Sequence, residues 1–225
     1  RILDKERYPL MIERFMALAF EPGAALPQPY PRPALQIDAQ SRDAALAKFG
    51  LSLDRPVLAL CPGAEFGEAK RWPSEHYAKV AELKIRAGWQ VWIFGSKSDH
   101  PVGEDIRSRL IPGLREEATN LAGETSLAEA IDLLSCAGAV VSNDSGLMHV
   151  AAALNRPLVA VYGSTSPGFT PPLAEQVEIV RLGIECSPCF DRTCRFGHYN
   201  CLVQLKPRPV IEALDRLVSD PVEVE

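Results

Sequence analysis

Along this chain, short aliphatic and β-branched runs alternate with stretches whose apolar residues recur every three or four positions, so strands and amphipathic helices follow one another. The pattern predicts strands at residues 57–60, 90–94, 139–142 and 158–162, with a later edge strand at 177–182. Helices are predicted at 44–49, 74–87, 99–110, 127–136 and 146–154, and an amphipathic closing helix at 210–218. Alternation at these lengths predicts an α/β fold: a Rossmann-like parallel sheet with helices on both faces. Ahead of it, residues 1–20 read as one helix carrying Leu10, Met11, Phe15, Leu18 and Ala19, with no strand after it. Pro22, Pro27, Pro29, Pro31 and Pro33 then rule out a helix or central strand, so this stretch reads as a linker. The expected division is residues 1–33, the end of one domain plus linker, and 34–225, a second domain.

Two strand-to-helix turns carry the candidate chemistry. In the first, Ser142-Asn143-Asp144-Ser145-Gly146-Leu147-Met148-His149 follows a β-branched run and opens a helix, placing backbone N–H groups where an anion can meet them. Asp144 or Ser145 as a plain N-cap and a phosphate- or sugar-binding turn both fit this pattern. The second is the loop from Cys61 to Pro73, which contains Pro62-Gly63-Ala64 and Lys70-Arg71-Trp72-Pro73 between a strand and a helix. Its glycines let backbone approach a ligand, and Lys70 and Arg71 offer positive charge at a helix start. It matches neither the Walker A pattern nor G-x-G-x-x-G.

Composition limits the alternatives. With 225 residues, 47% hydrophobic, the chain can bury a sizeable core. Its net charge of -5 gives no basic field for nucleic acid. No apolar run approaches the about 18 residues of a membrane helix and the start does not read as a secretory signal, so a cytoplasmic protein is expected, with membrane contact at most peripheral.

Taken together, Pro62-Gly63, Lys70-Arg71-Trp72-Pro73, Gly95-Ser96 with Asp99, Asn120-Leu121-Ala122-Gly123-Glu124-Thr125-Ser126-Leu127, the Asp144 turn and Tyr162-Gly163-Ser164-Thr165 resemble the ADP-heptose:lipopolysaccharide heptosyltransferases, their heptosyltransferase II branch most of all. The resemblance implies the GT-B arrangement of two Rossmann-like domains facing across a cleft. Residues 34–225 would be the C-terminal, donor-binding domain, and nearly all of the acceptor-binding N-terminal domain would be absent, leaving the chain inactive alone. It implies inverting transfer of heptose from ADP-heptose to an inner-core heptose of lipopolysaccharide, without cofactor or metal.

Lys70 is expected at the donor phosphates and Asp144 at the sugar hydroxyls, these two carrying the catalytic duty; the general base is expected in the absent domain. Gly63, Ala64, Ser145 and Gly146 would supply backbone or hydroxyl contacts to the donor. Ser96 and Asp99 fall near the ribose, with a helix N-cap as the other reading of Asp99. Thr125 and Leu127 would lie by the adenine, although Thr125-Ser126-Leu127-Ala128-Glu129 also reads as a capping arrangement. His149, one turn past Ser145, is either a site residue or a core histidine.

Four of the six cysteines fall as Cys186-x2-Cys189-x4-Cys194-x6-Cys201, compact enough to wrap a tetrahedral zinc, while free thiols in a loop or disulfides are the other readings and no metal is assigned. Cys61 and Cys136 read as small core residues. Trp72, Trp89 and Trp92 read as packing residues, with Trp72 also a candidate sugar platform. Two other functions remain compatible with the sheet: a nucleotide-sugar-binding or partner-docking module without chemistry, and another GT-B nucleotide-sugar enzyme such as a hydrolase or epimerase.

Overall fold

The structure, a computed structural model, describes residues 2–218. Six parallel strands form one sheet: β1 (Val57–Cys61), β2 (Gln90–Ile93), β3 (Ala118–Asn120), β4 (Ala139–Asn143), β5 (Leu158–Val161) and β6 (Val177–Val180), in the spatial order β3-β2-β1-β4-β5-β6. The helices are α1 (Met11–Ala19), α2 (Ala39–Lys48), α3 (Ser74–Arg86), α4 (His100–Ser108), α5 (Pro112–Arg115), α6 (Leu127–Leu134), α7 (Gly146–Ala153), α8 (Asn200–Val203) and α9 (Pro207–Val218). The Rossmann-like reading therefore holds.

β1 shows why the sheet has two cores. All five of its residues are buried, as expected of a central parallel strand covered on both faces. Leu58 and Leu60 point to one side, against Tyr77, Val80 and Ile85 of α3 and Val210 and Leu214 of α9. Val57, Ala59 and Cys61 point to the other, against Leu133 and Leu134 of α6 and Met148 and Ala151 of α7. Each fully buried leucine contributes about 1.5–3 kcal/mol of transfer free energy, so Leu58 and Leu60 anchor the layer of α3 and α9.

Where expectation and structure differ, local chemistry explains it. Residues 2–10 are not helical: Asp4 Oδ1 accepts from Glu6 N (2.9 Å) and Arg7 N (3.2 Å), making a side-chain turn, and Pro9 disfavours helical geometry at Tyr8. Helix α2 starts earlier than its apolar pattern suggests because Asp38 caps it, Oδ1 accepting from Ser41 N at 2.8 Å. Strand β3 escaped detection because its three residues are too few to show alternation, yet it pairs Ala118, Thr119 and Asn120 with β2. Among the described residues no helix is long and apolar enough to cross a membrane.

Helix α1 and the proline-rich stretch lie against the sheet domain. Met11 N donates to Phe169 O (2.9 Å), the Arg14 guanidinium stands 5.0 Å from the Phe169 ring, and Leu35 N donates to Ala153 O (2.9 Å).

Candidate functional site

Chain order runs outward from β1 through β2 to β3, then returns to place β4 on the other side of β1. At such a reversal the loops leaving the two strands diverge and open a crevice at the strands' carboxyl ends. The loops after β1 and β4 are the two singled out from sequence, and Asn143, the last residue of β4, ties them together. Its Nδ2 donates to Pro62 O (2.6 Å), while its Oδ1 accepts from Trp72 N (3.2 Å) and from the Tyr77 hydroxyl (2.9 Å). Both ends of the 62–73 loop are thus held by one buried amide. Asn143 was not among the expected site residues, although it stands inside the motif. Trp72 closes the same loop from below: its Nε1 donates to Leu205 O at 2.7 Å and it is 1% exposed, which removes it as a sugar platform. Trp92 is equally buried and Trp89 packs at the edge of the core.

Beside this junction lies a cleft of about 360 Å³. Gly63 and Ala64 form its wall from β1, and Ser96 and Asp99 its wall from β2. Ser145 and Gly146, at the start of α7, face them, and Leu127 reaches in from α6. Seven expected residues therefore meet in one place. The Asp99 carboxylate does not cap α4; its Oδ2 turns back to accept from Ser96 N (2.9 Å) and Ser96 Oγ (2.7 Å), and Oδ1 stands 3.5 Å from the Arg71 guanidinium. Asp99 thus sits at the N-cap position of α4 without capping it, and its carboxylate instead closes a capping box with Ser96 on the short 97–99 turn. A Cβ on Gly63 would come within 2.5 Å of Asp99 Oδ2, so glycine is what permits this approach. Arg71 Nε is buried without a hydrogen-bond partner, an unspent donor beside Asp99.

Lys70 and Asp144 do not line the cleft directly; they face each other at its rim. Lys70 Nζ donates to Asp144 Oδ2 (2.8 Å) and to Asp144 O (3.3 Å), and Thr165 Oγ1 donates to the same Oδ2 at 2.6 Å. The Lys70 and Asp144 side chains are 14% and 4% exposed, so neither charge is paired with bulk water. Thr165 was quoted in a motif but not assigned a role; a hydroxyl after a central strand was the available signal. The Lys70 ammonium also stands 4.9 Å from the centre of the Phe66 ring. The plain-cap reading of the Asp144 turn fails: Ser145 is the N-cap residue of α7, yet its side chain caps no helix N–H.

Two expected residues lie elsewhere. Thr125 is not among the residues lining the cleft; next to it Ser126 and Glu129 cap α6, Ser126 Oγ accepting from Glu129 N (3.3 Å) and Glu129 Oε2 accepting from Ser126 N (2.8 Å). The Lys48 ammonium and Ser126 hold the Glu129 carboxyl down at about 2. His149 is exposed, which overturns its reading as a core histidine, and it borders a second hollow of about 260 Å³ with Met11, Phe15, Pro33 and Phe169.

The cysteine-bearing loop touches this machinery from outside. Ala69 N donates to Arg192 O (3.1 Å), and Cys189 N and Phe190 N donate to Ser164 O (3.0 and 2.7 Å). Gly67, at φ +149°, lets Arg192 O approach within 2.4 Å of where a Cβ would sit, so this glycine serves the loop contact. Cys61 is buried, and burial pushes its thiol up to about 12, in keeping with a core residue.

A family model described as glycosyltransferase family 9 (heptosyltransferase) matches residues 1–200. Lipopolysaccharide heptosyltransferase 2 of Salmonella typhimurium is 44% identical over 98% of this chain and 65% of its own length. Lipooligosaccharide heptosyltransferase 2 of Haemophilus influenzae is 46% identical over 96% of this chain and 65% of its own length. The solved structure of E. coli ADP-heptose lps heptosyltransferase II is similar with a TM-score of 0.87 and 46% identity, covering 97% of this chain and 64% of that one. The chain thus spans somewhat less than two thirds of the length of these relatives. Fold, motif order and relatives agree: the chain belongs to glycosyltransferase family 9, the heptosyltransferases.

Proposed function

We propose that this chain binds ADP-heptose and supplies the donor half of an inverting transfer of L-glycero-D-manno-heptose to an inner-core heptose of lipopolysaccharide. The observation that carries the reading is the Lys70–Asp144–Thr165 cluster at the rim of a glycine-walled cleft beside two helix starts. In this reading residues 34–225 are the donor-binding domain and residues 1–33 belong to the acceptor side and linker. The names of the similar heptosyltransferases support donor and acceptor alike.

Each residue then has a task. As the bond between the sugar's anomeric carbon and the diphosphate oxygen breaks, negative charge grows on ADP, and the Lys70 ammonium stabilises it together with the N–H groups at the start of α7. The acceptor hydroxyl forms the new glycosidic bond from the opposite face and gives its proton to a base on the acceptor side. Asp144 is not assigned as that base, because its carboxylate already accepts from Lys70 and Thr165; it accepts from sugar hydroxyls and orients the donor. Ser96 and Asp99 take the ribose hydroxyls, and Gly63 and Ala64 allow the backbone to approach the diphosphate. The acceptor is met from the aqueous side, with at most peripheral membrane contact and no nucleic acid.

Calorimetry with ADP tests the assignment. Lys70→Ala should weaken binding by about 1.5–3 kcal/mol, the range for a hydrogen bond to a charged group. Equal affinity of the two proteins would remove Lys70 from the phosphate site.

A further inference from the structure

We propose that Cys186, Cys189, Cys194 and Cys201 form a site for one thiophilic metal cation, zinc in the first instance, which staples the 186–201 loop against the loops carrying Lys70 and Thr165. All four residues line a single hollow of about 20 Å³, enough for roughly one small ion or water. All four are free thiols, so no disulfide competes for them. Between the end of β6 at Val180 and the start of α8 at Asn200 the backbone has no helix or strand, and a loop of this length inside a compact domain needs something to hold it. Four residues here have left-handed backbone, Gly183 (φ 66°), Phe190 (φ 58°), Gly197 (φ 70°) and Tyr199 (φ 51°), which folds the segment back so that its distant thiols share one hollow.

The donor set selects the ion. Four sulfurs suit zinc, or iron in its place, and not the oxygen-seeking magnesium or calcium. His198 also borders the hollow, but its Nδ1 accepts from Asn200 N at 3.0 Å, so it is already engaged in holding the turn. Among the described residues the side chains do not stand in a finished ligand set. The cation therefore has to draw the sulfurs together, each thiol releasing its proton as its metal–sulfur bond forms. What the staple would secure is visible in the contacts of this loop: Arg192 O receives Ala69 N–H, next to Lys70, and Cys189 N–H reaches Ser164 O, next to Thr165.

The test uses the full chain purified under reducing conditions. Elemental analysis should find about one zinc or iron per chain, and a chelator should remove it and lower the melting temperature. Adding cobalt(II) to the stripped protein should produce the visible bands of a tetrahedral cobalt thiolate, and Cys189→Ser and Cys194→Ser should each abolish them. Cys136→Ser, outside the cluster, should leave the metal content unchanged. Because the stripped wild-type chain carries the cobalt test, the proposal survives a serine variant that fails to fold. Background metal together with no cobalt bands would overturn it, as would a non-reducing mass showing the four cysteines joined in disulfides.

Discussion

On the β2 side, the cleft is walled by backbone: a methyl group on Gly63 or Gly95 would stand only 2.5 Å from Asp99 Oδ2 or 2.7 Å from Asp99 Cβ. On the β5 side it is bounded by charge, with Lys70, Asp144 and Thr165 satisfying one another across three loops. The first side has its shape before any ligand arrives, and close packing keeps it. The second has no free charge to offer until its bonds are shared out again, so an incoming diphosphate competes with Asp144 for the Lys70 ammonium. Preorganised shape and redistributable charge are thus separated within one site, and variants on the two sides should fail in different ways.

The largest effect is expected at Asp144. Asp144→Ala leaves the Lys70 ammonium largely buried without its partner, which should lower unfolding free energy by about 3 kcal/mol. In a heptose-transfer assay it should cut turnover more than it cuts ADP affinity, because its oxygens are assigned to the sugar. Denaturant unfolding and paired kinetic and calorimetric measurements check both; unchanged turnover would take Asp144 out of the site. A double-mutant cycle with Lys70→Met sharpens the contrast, since two residues sharing a 2.8 Å contact should couple by at least about 0.5 kcal/mol. Additive losses would mean that the two charges act separately and that the charged side is not one unit.

On the backbone side a smaller loss follows from sterics alone. Gly63→Ala forces Asp99 to move, and overpacking of this kind costs about 1–3 kcal/mol. Gly146→Ala meets nothing within 4 Å and is expected to leave stability nearly unchanged, or to raise it by about 0.4–1 kcal/mol. Equal melting temperatures for the two variants would show that the β2 wall is less rigid than its contacts indicate.

Most of the sheet was legible because its central strands are continuous apolar runs ended by glycine or by Asn-Asp turns, signals that lie within a few residues of the feature they specify. β3 was not, since three residues of an edge strand carry no period. The glycine side of the cleft could be read for the same local reason: Gly63 and Gly95 mark places where backbone must come close. The charged side was only half legible. Lys70 and Asp144 are 74 residues apart, and their pairing depends on the sheet order that places β4 beside β1. Thr165 and Asn143 went unassigned because a hydroxyl and an amide acquire their meaning from the partners that the fold delivers. Thr125 falls outside the cleft lining, next to a capping box of Ser126 and Glu129, and capping boxes and ligand turns use the same residue types.

The smallest expected effect concerns pH and reaches the charged side from behind. His76, on the first turn of α3, is 5% exposed, its ring centre 5.3 Å from that of Trp72, which closes the Lys70 loop. Burial holds its imidazole below the ordinary value of 6.5, the Lys206 charge adds to this, and Glu75 opposes both. Because the folded chain resists protonating His76 while the unfolded chain does not, the unfolded state binds more protons once the pH falls below that ordinary value. The stabilising contribution of the neutral ring is therefore complete above about pH 7 and declines as the pH falls towards 5. His76→Gln should lower stability at neutral pH yet flatten its decline with acid, an outcome read from melting temperatures measured across that interval. Two parallel curves would show that His76 does not titrate between the folded and unfolded states, and the acid sensitivity of the loop would then have to come from the carboxylates on the cleft side.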